Sequence, residues 1–517
     1  MGCVCLRLYV VCVRSTDLVS SQSHYYNIEL KAVRGGIFDR RGRPLADADY
    51  DNYAVLKPAS TAIEAISALV TGAELEDIAG RLARGVPVAV NIGKAALSGD
   101  TGVQTVRVYK RYGAPGSPVH IIGYVSGEGG VCGIEKGYEK YLNTGLSLTV
   151  KLPVNAVGGV IGGERAQVIN ENVPVPGVFL TIDSGIQRAV DAALDEYSVD
   201  RGGAMVLDVG TGAVLACASR PLYDPCNVGA SLDDPGSPFV NRALGAYSVG
   251  SVFKTAVAAA ALEDGLGDFE CECEGSCVCA GTRFHCSGSK PHGRVDMKAA
   301  LEKSCNIYFI RLAEKLGAQK LLDMAEKLGF GQEIRLCAGV TADAGTVPDE
   351  ETLENPAQLA NFAFGQGRFT ACVPQIAQMM CAAANGGRYV APYLVESVTD
   401  RDGKIVSSHV PAWPTVAFSS GTAEKLRRLL TAVVEEGNAC RAKPRDSGAA
   451  GKTATAQTGV FDENGREICN TWFGGFFPAD EPEYVVVVFR QGGTSGAEDC
   501  APVFRSIADR INSAVGE

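Results

Sequence analysis

The sequence predicts an α/β (α+β) protein: a sheet flanked by helices, preceded by a smaller, irregular, β-rich N-terminal module. Three observations predict it. Apolar runs of strand length recur late in the chain, at Trp472–Phe477 and Tyr484–Phe489. An earlier pair of runs, Ala204–Leu207 and Ala213–Ala216, is joined by Asp208-Val209-Gly210-Thr211-Gly212, which reads as a hairpin turn. Helical patterns lie before and between these runs. Ile186–Tyr197 is amphipathic, and Phe253–Leu262 is rich in alanine and other good helix formers.

Taken in order, the chain divides at residues 1–20, 21–170 and 171–517. Cys3–Val13 is an apolar stretch of only 11 residues, interrupted by Arg7, whereas a membrane-spanning helix needs about 20. The paired glycines Gly158-Gly159 and Gly162-Gly163, then Pro174-Val175-Pro176-Gly177, mark the approach to the second boundary. A chain of 517 residues suits two or more domains and buries a large core. With 46% hydrophobic and 21% charged residues, no large part reads as disordered. The net charge of −11, with no basic run, argues against a nucleic-acid partner. There is no P-loop, dinucleotide fingerprint or internal repeat, and no cofactor is expected.

Three short motifs carry the chemistry, in the order Ser251-Val252-Phe253-Lys254, Ser304-Cys305-Asn306 and Lys452-Thr453-Ala454-Thr455. A free serine hydroxyl is a poor nucleophile and needs a base within hydrogen-bond reach. Ser251 is placed at a helix N-terminus, where unpaired amides and the helix dipole favour a developing oxyanion. Lys254, three residues on, shares its helical face, and burial there lowers its pKa towards that of a base. Ser304 and Asn306 are two apart, so on a turn they project to one side, Ser304 to relay a proton and Asn306 to hold a substrate amide. Cys305 is expected to point away into packing. The third motif begins a strand following Ser447–Gly451. Lys452 supplies a cation for a carboxylate, Thr453 lies beside it, and Thr455 offers an oxyanion amide. An edge strand of this kind pairs with a peptide through its backbone.

S-x-x-K alone is weak, but the ordered set resembles the S-x-x-K, S-x-N and K-T-G motifs of penicillin-binding proteins and serine β-lactamases. Further segments narrow the resemblance to the class B penicillin-binding proteins. They are Arg34–Ala46, Val119–Tyr124, Gly133–Tyr138, Leu180-Thr181-Ile182-Asp183 with Ile186-Gln187, and Gly365-Gln366-Gly367 with Pro374-Gln375. The resemblance implies a monofunctional peptidoglycan D,D-transpeptidase, acylated at Ser251 by stem peptides ending in D-Ala-D-Ala and by β-lactam antibiotics. It also implies cell-wall assembly partners including a glycan polymerase, an N-terminal membrane anchor beginning upstream of this chain, and an extracytoplasmic catalytic domain. Residues Leu8–Asn27 then read as the outer end of that anchor and its stalk. A hydrolytic relative (a carboxypeptidase or β-lactamase) and a non-catalytic scaffold are the alternatives.

The chain departs from the family pattern at two places. Val249 stands before Gly250 where proline is usual, and Ala454 replaces the glycine of K-T-G. That glycine leaves room for close backbone approach, so the added methyl is expected to narrow the site. Cysteine use is also unusual, at 18 residues, with a cluster Cys271, Cys273, Cys277, Cys279 and Cys286 between the first two motifs. Related proteins often carry a cysteine pair here, so the resemblance implies a disulfide joining Cys286 to one of the other four, and no metal is assigned. A zinc site is the rival, since His285 and His292 lie nearby. It ranks lower because the C-x-C spacings are not the usual C-x2-C.

Overall fold

Five antiparallel strands build the sheet that positions the site, in the spatial order Val214–Arg220, Gly202–Asp208, Tyr484–Gly493, Glu467–Phe477, Ala450–Phe461. Val485 to Phe489 are all fully buried, as a continuous apolar run demands when both faces of a strand are covered. Neighbouring strand residues point to opposite faces, and they show what covers each. Phe473 packs against Phe504 of the C-terminal helix Ala501–Val515, the rings tilted at 55°. A side chain at Gly474 would instead meet Ile376 and Met380 of helix Val373–Ala384. The sheet is thus sandwiched between helices, as the sequence predicts. The Asp208–Gly212 turn closes the expected hairpin, and the motif strand Ala450–Phe461 stands at the sheet edge.

The computed structural model describes residues 24–515, apart from 98–102, 114–117, 162–163, 462, 464 and 466. The expected anchor remnant, residues 1–20, lies outside them. Tyr25–Asn27, expected to belong to the stalk, instead open a strand, Tyr25–Arg34, paired with Asn143–Pro153. Among the described residues no helix is long and apolar enough to cross a membrane. The N-terminal part holds a second small sheet, with Asp49–Leu56 between Val88–Asn91 and Val103–Lys110, and the helices Ser60–Ile66 and Ala73–Ala83. These elements have apolar clusters of their own.

The Arg34–Arg43 segment ties this part to the larger domain. Gly36–Phe38 pairs in parallel with Gly177–Leu180, which pairs in turn with Val395–Thr399. The Asp39 carboxylate accepts from the amides of Arg41 (2.8 Å) and Arg43 (2.9 Å), from Arg43 Nε (2.8 Å) and from Ser184 Oγ (2.6 Å). Burial pushes this carboxyl up, but the bonds from Ser184, Arg43 and Arg41 outweigh it and hold it at about 2. Its stabilising contribution is therefore present above the ordinary value of 3.8 and is lost as pH falls towards 2. Asp39→Ala leaves these donors without an acceptor. It is expected to destabilise the fold by about 1–3 kcal/mol, read as a lower urea midpoint at neutral pH. An unchanged midpoint would show that water replaces the carboxylate at no cost.

Candidate active site

Ser251 lies on a 3₁₀ turn, Gly250–Phe253, that runs directly into helix Lys254–Glu263. The turn is held from three sides. Trp472 Nε1 donates to Ser248 O (2.9 Å). The Gly250 amide donates to Gly365 O (2.7 Å). Phe253 packs among Phe330, Phe362 and Phe369. Gly250 has φ +69°, a left-handed conformation that glycine adopts without steric cost. A side chain at Gly365 would put its Cβ 2.1 Å from Gly250 O, which explains physically the Gly365-Gln366-Gly367 segment noted in the sequence. Gly365→Ala is expected to displace the Ser251 turn and slow penicillin acylation at least ~10²-fold, the cost of misplacing a reacting group by about 1 Å. A stopped-flow rate equal to wild type would show that the turn yields elsewhere.

Lys254 is fully buried, and its Nζ donates to Ser304 O (2.8 Å), Ser304 Oγ (3.2 Å) and Asn306 Oδ1 (2.7 Å). The first two motifs therefore meet at one amine. Burial lowers its pKa from 10.5 to about 7. Among the described residues, no hydrogen bond joins Lys254 to Ser251, contrary to the reach expected from helical spacing. The three acceptors of the second motif take the amine's three donors instead. The geometry of that motif is local. Ser304 is held at φ +51°, Cys305 caps the helix Asn306–Leu316, and Asn306 is its first residue. Asn306 Nδ2 also donates to His285 O (2.9 Å), a contact with no signal in the sequence.

A cleft of about 870 Å³ is lined by Ser251, Ser304, Asn306, Thr453, Ala454 and Thr455, with Asn438, Ser495 and the loop Arg283–Ser287 around them. Lys254 and Lys452 are not on its surface. Lys452, expected as the cation for a substrate carboxylate, is fully buried, with Nζ near Thr453 O (3.2 Å) and Thr453 Oγ1 (3.5 Å). Burial first, and the charge of Lys254 second, lower its pKa well below the ordinary value. Thr453 Oγ1 donates in turn to Asn438 Oδ1 (3.3 Å). Ala454 is 3% exposed and belongs to the core. Gly496 lies against its backbone, where a Cβ would fall 2.5 Å from Ala454 O, and the Gly496 amide donates to Thr455 Oγ1 (3.3 Å). The sequence singled out none of Asn438, Ser495 and Gly496.

The cysteine expectations need correction. All 15 described cysteines are free, so Cys286 is not bridged to Cys271, Cys273, Cys277 or Cys279. Its closest counterpart in that loop, Cys273, stands at an Sγ–Sγ distance of 3.6 Å, against about 2.05 Å in a disulfide. Cys305 is fully buried in the core, as expected, but it faces another thiol there. Its thiol lies 3.7 Å from that of Cys286. Helix capping is the cause, since Cys305 Sγ accepts from the Tyr308 amide (3.4 Å) and is thereby aimed back at the loop.

A hydroxyl, a buried amine of lowered basicity and an edge strand around one cleft define a serine acyl-transfer type of site. Residues 202–509 match the penicillin binding protein transpeptidase domain, and the chain belongs to that family. The resemblance read from its motifs is borne out. Stage V sporulation protein D of Bacillus subtilis is 31% identical over 71% of this chain and 58% of that protein. Penicillin-binding protein PbpB of Mycolicibacterium smegmatis is 29% identical over 77% of this chain and 64% of its own length. The chain thus spans about three fifths of the length of these curated relatives. The solved D,D-transpeptidase domain of a peptidoglycan glycosyltransferase from Eggerthella lenta superposes with a TM-score of 0.68 at 25% identity, covering 95% of this chain and all of that one. Penicillin binding protein 3 of Mycobacterium tuberculosis shares the fold, with a TM-score of 0.68 at 24% identity over 95% of this chain and 97% of that one.

Proposed function

We propose that this protein is a peptidoglycan D,D-transpeptidase that cross-links stem peptides through a Ser251 acyl-enzyme and is acylated there by β-lactams. The observation that carries the proposal is the convergence of buried Lys254 Nζ on Ser304 Oγ (3.2 Å) and Asn306 Oδ1 (2.7 Å), two residues that line the cleft together with Ser251. The membership of the family and the names of its relatives, peptidoglycan D,D-transpeptidases among them, support it.

In this mechanism Ser251 Oγ attacks the carbonyl of the penultimate D-alanine and its proton passes to neutral Lys254. The amides of Ser251 and Thr455 bind the tetrahedral oxyanion. Ser304, bonded to Lys254, relays the proton to the leaving D-alanine. Asn306 and the edge strand hold the donor peptide. Thr453 and Thr455 receive its carboxylate, with Lys452 behind Thr453. The amine of a second stem peptide then attacks the acyl-enzyme, forms the cross-link and frees Ser251. A membrane setting through an N-terminal anchor, an extracytoplasmic catalytic domain, and work alongside a glycan polymerase and other cell-wall assembly proteins belong to the same proposal.

A synthetic pentapeptide donor with an amine acceptor tests it. Released D-alanine should be matched by cross-linked dimer on mass spectrometry. Released D-alanine with tetrapeptide acid and no dimer would make the protein a hydrolase. No turnover of a protein that still binds penicillin would make it a scaffold.

A further inference from the structure

Four side chains from four separate positions in the chain converge beside the cleft: Cys273, Cys286, His292 and Cys305. Their ligating atoms all lie within 4.8 Å of one another. Cys273 ends the strand Cys271–Cys273, and His292 immediately precedes its partner strand Gly293–Val295, with the His292 amide donating to Cys273 O (3.0 Å). Cys286 follows the hairpin of Ser276–Cys279 and Thr282–His285. Cys305 is the middle residue of the second motif. The three thiols are 0–3% exposed.

The spacings identify what the cluster fits. The Sγ–Sγ distances are 3.6 Å (Cys273–Cys286) and 3.7 Å (Cys286–Cys305), and Cys273 Sγ lies 3.4 Å from His292 Nδ1. A tetrahedral zinc with Zn–S bonds of about 2.3 Å sets its sulfurs about 3.8 Å apart, and Zn–N bonds of about 2.0–2.1 Å bring sulfur and nitrogen to about 3.5 Å. These distances are too long for a disulfide, at about 2.05 Å. Three thiolates and one imidazole form a closed structural donor set for zinc, whereas calcium and magnesium take oxygen ligands. Backbone amides supply the outer partners that orient such ligands: that of Tyr308 faces Cys305 Sγ at 3.4 Å. The remaining loop thiols stand apart from the set; Cys279, for example, faces Glu314.

We propose that Cys273, Cys286, Cys305 and His292 bind one zinc ion, which ties the cysteine loop to the Ser304-Cys305-Asn306 turn and so positions that turn against Lys254. Binding releases the thiol protons as the three sulfurs become thiolates. The tie has a direct consequence for the cleft. Arg283, Phe284 and His285 line it, His285 O holds Asn306 Nδ2 at 2.9 Å, and both flanks of that contact end in a ligand, Cys286 on one side and Cys305 on the other. The metal is a positioning element and touches no substrate. It reverses the order in which the sequence ranks disulfide and zinc.

The test is metal analysis of the full chain purified under reducing conditions without added metal. About one zinc per chain is expected in the wild type and in Cys279→Ser, and far less in Cys273→Ser and His292→Ala. Because a ligand variant can fail to fold, a second measurement uses the wild-type protein. After chelation, titration with cobalt(II) should give thiolate-to-cobalt absorption that saturates at one equivalent, with three thiols newly protected from alkylation. The chelated enzyme should also acylate with penicillin at least ~10-fold more slowly, and recover on zinc addition. Protein that carries no zinc and shows no cobalt signal, with these thiols either free or joined as Cys273–Cys286, would overturn the site. Zinc bound at one equivalent, with an acylation rate indifferent to its removal, would overturn the positioning role. Neither outcome bears on whether Ser251 is the nucleophile, which is read from the acylated peptide.

Discussion

Purified protein incubated with benzylpenicillin should gain the mass of one penicilloyl group, on the peptide that carries Ser251, and Ser251→Ala should gain none. Removal of a serine nucleophile costs about 10⁶-fold in related acyl-transfer chemistry, because no other group takes over its bond. The local structure supports so large an effect. Ser251 lines the cleft and lies in a helical turn held in place by Gly365, Trp472 and a cluster of buried phenylalanines. Ser304 lines the same cleft, but it is committed to Lys254 at 3.2 Å. Alanine at position 251 removes only an oxygen, so the fold should survive and the thermal midpoint should stay near wild type. An adduct retained by Ser251→Ala, at Ser304 or elsewhere, would sink the assignment.

Lys254→Ala should slow acylation by at least ~10²–10⁴-fold, the usual contribution of a general base. The pH profile of the wild type separates this role from a structural one. A base works only when unprotonated. Burial lowers the Lys254 pKa to about 7, so the acylation rate should rise with pH through about 7 and level off above it. At pH 6 roughly a tenth of the enzyme would carry the neutral amine, whereas an exposed lysine at pH 7 would be neutral in roughly one molecule in 3000. Lys452→Ala acts differently. Its amine backs Thr453 and does not line the cleft, so the loss should appear chiefly as a higher apparent KM for donor peptide. A Lys254→Ala enzyme that acylates at the normal rate, or a wild-type profile flat between pH 5 and 9, would place the base elsewhere.

Much of the architecture was legible because it follows from local rules. The hairpin at Asp208–Gly212, the helix starting near Ser184 and the apolar strand at Tyr484 are set by residue periodicity and turn chemistry over ten residues or so. The Ser251 turn and the S-x-N turn were legible for the same reason, as short motifs whose side chains are aimed by their own backbone. Other features lie outside such local rules. The sequence shows that Lys254 follows Ser251 by three residues, but not that its amine hydrogen-bonds to residues 304 and 306. It shows that Lys452 opens a strand, but burial depends on what the neighbouring chain covers. Asn438 and Gly496 carry no motif of their own until the fold brings them to Thr453 and Thr455.

The cysteines draw the dividing line most sharply. The sequence by itself determined the fold class, the family, the order of the three motifs and the presence of a thiol-rich loop between two of them. It did so because each rests on residues close together in the chain. Which thiols face one another was decided only by the tertiary structure. Cys273, Cys286, His292 and Cys305 come from a strand, a hairpin end, a loop and a helix cap. Their meeting within 4.8 Å is fixed by the packing of those elements, and spacing rules that count residues along one loop do not include a ligand supplied from outside it.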